Sequence, residues 1–180
     1  STPLPSAAGA AVGSPPVIDG RPRFRQIFCA LLEEAHEASP ETQGCASFIW
    51  HLADENINAG SGGALPHHDP ALKIFIVPGA FSDCFPELGA PFQKGIDRLK
   101  DLGYRIETIA IEGRSGSEHD AYLIAEALSQ KINRETDRLV LIGYSKGVTD
   151  ILHFLVDFPD LASQVAAVIS VSGAVNGSPL

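Results

Sequence analysis

From residue 71 onward, short apolar runs alternate with amphipathic stretches, and this order leaves few folds open. "LKIFIVPG" reads as a strand entering a turn. "PFQKGIDRLKDLGY" reads as a helix, with Phe92, Ile96, Leu99 and Leu102 on one face and Gly103 as its stop. "RIETIAI" alternates like a strand, "HDAYLIAEALSQKIN" is helical, and "RLVLIG" is a strand. "VTDILHFLVDF" is a helix and "VAAVISVSG" a strand. The pattern β-α-β-α-β-α-β predicts an α/β fold, with a mostly parallel sheet, helices on both faces and right-handed crossovers.

The upstream sequence differs. Residues 1 to 20 are rich in Ala, Gly, Pro and Ser and read as a flexible leader. Residues 21 to 70 form a helical N-terminal segment and loop. Within it, residues 23 to 37 place Phe24, Ile27, Phe28, Leu31 and Leu32 on one helical face. "CASFIWHLADE" is expected to form a second short helix, with Phe48, Ile49 and Leu52 inward. Residues 56 to 70 read as a loop. Cys29 and Cys45 flank a short Pro/Gly-containing loop. Two readings stay open: a small disulfide-closed hairpin in an exported protein, or three buried thiols, with Cys84, in a cytosolic one. The leader's composition is common after the cleavage point of exported proteins and in ordinary disordered termini.

The balance of 13 Lys and Arg against 22 Asp and Glu gives a net charge of −9, with no basic block to favour nucleic acid or anionic membranes. No apolar run approaches the ~20 residues of a membrane span. The cysteines and histidines lack metal-site spacing. The neighbouring His67 and His68, in an extended loop before Asp69, point apart. No metal and no cofactor are expected.

Three glycine-bearing turns follow predicted strands: "VPGAFSD", "IEGRSGS" and "IGYSKG". Such strand ends are where open parallel sheets gather functional groups. The last holds Gly143-Tyr144-Ser145-Lys146-Gly147, a G-x-S-x-G string between strand and helix. In that context the serine occupies a strained turn. The glycines at 143 and 147 let strand and helix approach closely.

On these residues the chain resembles the α/β-hydrolase fold, and within it bacterial lipases and esterases, over residues 71 to 180. The resemblance rests on the "VPGAF" turn, the "GYSKG" elbow and the "SVSGAVNGSPL" strand end, in the family's order. It implies Ser145 as nucleophile. It implies oxyanion-hole amides from Ala80, with Phe81 as the fallback, and from Lys146. Pro78 stands where the family has a histidine. Tyr144 either lines the pocket or packs, and Lys146's side chain reads as an exposed helix-start lysine. With Phe81 and Phe85, Tyr144 suggests an apolar site mouth, which favours ester or lipid substrates over peptides, while core packing explains these aromatics equally well.

A serine nucleophile needs a base, and the base needs an acid; in this fold both follow the serine in the chain. After Ser145 come Asp150, Asp157, Asp160 and His153. His153 lies roughly 12 Å along the following helix, leading away from the turn, and reads as a packing or surface residue. His119-Asp120 reads as part of a helix start after "GRSGSE", where Asp or Ser more often serves as a cap. His36 and His51 belong to the N-terminal helices. The acid and histidine are therefore expected beyond Leu180, in a C-terminal half that is a missing segment or a separate chain after a nick in a lid loop. Two other classes compete. A non-catalytic hydrolase-fold binding protein would keep the turn as scaffold. Nucleotide binding fails because "GYSKG" lacks the third fingerprint glycine and the Lys-Ser/Thr of a phosphate loop.

Overall fold

Successive strand side chains point to opposite faces, so a strand covered on both sides must be apolar at every position. The two central strands, Leu72–Val77 and Arg138–Tyr144, follow that rule past the Lys73 and Arg138 at their amino ends, and the strands at the sheet margins do not. A computed structural model describes residues 17–38, 45–50, 52–55, 68–80 and 92–176. Phe81, Cys84, Phe85, His51, His67, residues 1–16 of the leader and most of the 56–70 loop lie outside the described residues. The chain divides into two compact units, Ser1–Pro66 and His67–Leu180, and each has its own logic.

The larger unit holds four strands: β1 (Leu72–Val77), β2 (Arg105–Thr108), β3 (Arg138–Tyr144) and β4 (Val165–Val171). All pairings are parallel, in the order β2-β1-β3-β4. The connecting helices are α2 (Gln93–Asp101), α3 (Ser117–Lys131), α4 (Lys146–Asp157) and the short α5 (Pro159–Ala162). This is the predicted α/β architecture.

Strand alternation divides the core in two. Phe75, Val77, Leu139 and Leu141 face α3, α4 and α5, meeting Ile124, Leu128, Ile151, Phe154 and Leu161. Ile74, Ile76 and Ile106 face the other way and pack with Ile96 of α2. Phe92 and Leu99 join that cluster, whereas Leu102 remains exposed beyond the helix end. Gly103 then turns the chain at φ +88°, its N–H donating to Lys100 O and that of Tyr104 to Leu99 O, a Schellman stop. β2 is shorter than "RIETIAI" promised, although the Ile109 N–H still donates to Ile76 O at 2.9 Å.

At the sheet margin, β4 is exposed from Ala166 to Ser170, and Val168 and Ile169 show apolar surface. Its outer edge has no strand partner among the described residues.

In the smaller unit, α1 (Arg21–Ala38) matches the expected helix. Its stripe is not a buried face, because Phe24, Ile27 and Leu31 are exposed within this chain. "CASFIWHLADE" departs further from expectation. Among the described residues it forms one 3₁₀ turn, Cys45–Ser47, and Phe48 and Leu52 are exposed. The reason is Arg25. Its guanidinium holds Glu55 at 2.9 and 2.7 Å and takes the carbonyls of Ile49 and Trp50 at 3.2 and 2.8 Å. Those carbonyls therefore face a cation instead of amides one turn on. Cys29 and Cys45 are joined by a disulfide across 16 residues, which tethers the turn to α1.

The start of β1 is fixed by charge. Buried Asp137, just before β3, accepts Lys73 Nζ at 2.8 Å and the Asn133 N–H at 2.8 Å. The Lys73 ammonium first, and the Asn133 N–H second, hold its carboxyl below the ordinary range. A lowered folded pKa contributes stability that is complete above the unfolded value, about 3.9, and is lost as pH falls through the folded one. Asp137→Asn should lower the melting temperature at pH 7. The gap from the parent protein should close as melts are taken below about pH 4, and a constant gap would contradict this role.

Candidate functional site

The β1–β2 connection runs to one side of β1 and the next crossover returns to the other side, where β3 pairs. The carboxyl ends of β1 and β3 therefore flank the topological switch point, the usual ligand crevice of an open parallel sheet. Val77 is level with Gly143 across this pair, and Gly143 with Ser170 across the next. The turns after β1, β3 and β4 consequently meet at one edge.

Ser145 is the hinge between β3 and α4. Its backbone lies at φ 52°, ψ −118°, in the positive-φ region that side chains avoid. The surrounding turns hold it there. The Ser145 N–H donates to Val171 O at 3.0 Å, and its carbonyl accepts the N–H groups of Val148 and Ala174 at 3.2 and 3.3 Å. The ends of β3 and β4 and the first turn of α4 thus fix one residue.

The flanking glycines are required by contact. A β-carbon on Gly147 would fall 2.3 Å from Val77 O and 2.5 Å from Pro78 O. One on Gly143 would lie 2.8 Å from the Val148 backbone. The first turn of α4 is therefore seated on the end of β1. The Pro78-Gly79-Ala80 turn closes over Ser145 from that side: a β-carbon on Gly79 would sit 3.1 Å from Ser145 Cβ. Ala80 follows, exposed. Tyr144 packs edge-on against Phe92, ring centroids 5.6 Å apart.

Lys146 begins α4, so its N–H has no intrahelical acceptor and faces the helix's positive end. Its side chain is not the exposed lysine that the sequence promised. Nζ turns inward to Asp120 of α3 at 2.5 Å and to both oxygens of Asp150 at 2.8 and 3.0 Å. Both carboxylates are fully buried. Asp120 is thus no helix cap: α3 starts after Gly116, and Asp120 also accepts Ser115 Oγ at 2.6 Å and the Glu112 N–H at 3.3 Å. Burial pushes the Asp150 carboxyl up, with Lys146 and Ser117 opposing. Burial works against the Lys146 ammonium, but its bonds to Asp120 and Asp150 outweigh that and raise it. Sequence reasoning missed this cluster, although one signal was present. Asp150 falls on the same stripe as Gly147, Ile151 and Phe154, where an unpartnered charge is not tolerated.

The described histidines lie elsewhere. His119 is exposed beside Glu112, His153 is exposed beside Asp157, and His68 lies against Tyr104 and Gly103. None is hydrogen-bonded to Ser145, and Asp69 pairs with Arg138. A cleft lined by Lys73, Lys100, Tyr104 and Arg105 opens at the amino ends of β1 and β2, the opposite sheet edge from Ser145. No helix among the described residues is long and apolar enough to cross a membrane.

This sheet and helix order make the chain an α/β-hydrolase-like fold. It is similar to the crystal structure of the metagenomic carboxyl esterase MGS0156, with a TM-score of 0.74 and 34% sequence identity over 89% of this chain. The match covers 48% of the esterase, so the chain spans about half of that protein's length. No family model matches the chain. No curated protein matches it either.

The glycine contacts can be tested. Gly147→Ala should destabilise the protein by about 3 kcal/mol or more, because rigid strand carbonyls, not a movable side chain, stand in the way. Gly95→Ala, in open space on α2, should stabilise by about 0.5–1 kcal/mol. Chemical denaturation of both variants measures the contrast, and equal effects would refute the packing argument.

Proposed function

We propose that the chain carries the nucleophile and oxyanion hole of a serine ester hydrolase, lipase- or esterase-like, acting on carboxylic esters. The observation that carries this reading is the strained Ser145 between β3 and α4, covered by the Gly79 turn, in a fold 34% identical to a carboxyl esterase. Ser145 Oγ attacks the ester carbonyl while a histidine takes its proton. The N–H groups of Ala80 and Lys146 receive the developing oxyanion. The histidine returns the proton to the departing alcohol, leaving an acyl-serine. Water, deprotonated by the same histidine, then releases the acid and regenerates Ser145.

The histidine and its acid come from sequence beyond Leu180 or from a second chain. Two facts support this part: the match spans 48% of the esterase, and β4 presents uncovered apolar residues at the sheet margin. Residues 21 to 70 form a separate helical segment before the hydrolase portion. The Cys29–Cys45 disulfide supports export to an oxidising compartment.

Ser145→Ala should abolish turnover of short 4-nitrophenyl esters while circular dichroism and melting temperature stay close to those of the parent. Full activity in that variant would sink the assignment. One observation favours a second reading, a binding protein that kept the turn as scaffold: no described histidine is bonded to Ser145. That reading predicts an inactive parent and no copurifying polypeptide with a catalytic histidine and acid.

A further inference from the structure

We infer that Asp120 is a positioning residue for the oxyanion hole: from α3 it grips the Lys146 ammonium and so fixes the Lys146 peptide beside Ser145. This rests on the proposed esterase reading. The amide assigned to the oxyanion and the clamped side chain leave the same Cα. One end of Lys146 is therefore the first peptide of α4, and the other is anchored 2.5 Å from Asp120 Oδ2.

The two carboxylates do different work. Asp150 lies one turn along α4 from Lys146, so its bonds to Nζ select a rotamer within one helix. Asp120 belongs to another helix. It is oriented in turn by Ser115 Oγ and the Glu112 N–H, both in the loop entering α3. The bond from Lys146 to Asp120 thus ties the first residue of α4 to α3, 26 residues away in the chain, and through Asp120 to that loop.

Burial makes this arrangement costly. Each ion removed from water loses several kcal/mol of hydration, and apolar replacements of similar volume are often as stable. Two buried carboxylates around one ammonium are a poor device for stability alone. They are a good one for direction, because Nζ is held by three oxygens at 2.5–3.0 Å.

Asp120→Ala removes the grip from α3 and leaves Lys146 balanced by Asp150. Asp120→Asn keeps an oxygen for Nζ and serves as the conservative rescue. Removing an oxyanion donor outright costs about 10²–10³ in kcat, so a displaced donor in Asp120→Ala should cost about 30- to 100-fold. KM should stay within about twofold, and the inhibition constant of a trifluoromethyl ketone should rise by the same factor as kcat/KM falls. Asp120→Asn should lose about three- to tenfold, with the same matched rise. Variants are assayed well below their melting temperatures, in the preparation that carries the full activity. A folded Asp120→Ala with unchanged kcat, or with its loss confined to KM, would overturn the proposal. If Asp120→Ala does not fold, Asp120→Asn decides on the same two readouts, and unchanged values overturn it.

An inactive parent would mark failure of the esterase reading, and the clamp is then read directly. The Val148 amide, which donates to Ser145 O in the same first turn, should exchange at least about tenfold faster by ¹H–¹⁵N NMR in the Asp120 variant while β1 amides keep their rates. Unchanged exchange at Val148 would overturn the clamp.

Discussion

The missing side chain at Gly147 sets the rest of the larger unit in place. Without it, the first turn of α4 could not rest against the carbonyls of Val77 and Pro78. That contact brings the end of β1 to the start of α4, and it forces the chain to reverse at Ser145 in a positive-φ conformation. Such a conformation costs on the order of 1–3 kcal/mol and persists only where neighbours over-determine it. Here the neighbours are the three backbone hydrogen bonds to Val148, Val171 and Ala174. Strain at the serine and close packing at the glycine are two aspects of one joint.

The charged cluster beneath that joint has a different character. Backbone packing fixes where Ser145 sits, whereas Lys146, Asp120 and Asp150 fix the orientation of the helix start. The ammonium's raised pKa follows from two carboxylates that outweigh its burial. Its folded value lies above the unfolded one, so this contribution is complete below the ordinary lysine value, about 10.4, and is lost as pH rises through the folded one. Neutral pH leaves the grip intact. Taken together, the turn after β1, the serine after β3 and the β4 end form one rigid edge. Preorganised electrostatic catalysis needs such an edge.

Much of this was legible in the sequence, because it was written in periods and glycines. Apolar runs at 72–77 and 138–143 could only be covered strands, and the glycines at 143 and 147 marked a close approach. The strained turn at Ser145 was legible for the same reason. The Lys146 side chain was not. Its inward turn depends on Asp120, 26 residues earlier, and tertiary pairing of that kind leaves no local signature. The short segment after Cys45 failed as a helix for a similar reason, since Arg25 competes for its carbonyls from 24 residues away. The apolar stripe of α1 was read correctly as a stripe, but periodicity alone did not say what covers it.

The most direct test of the central claim is mass mapping of the protein after treatment with a fluorophosphonate. Such a probe phosphonylates only a serine whose hydroxyl is activated and whose oxyanion site is formed. The account predicts one covalent adduct, located on the peptide that carries Ser145. An active esterase preparation with its adduct on another residue, or with no adduct at all, would contradict it.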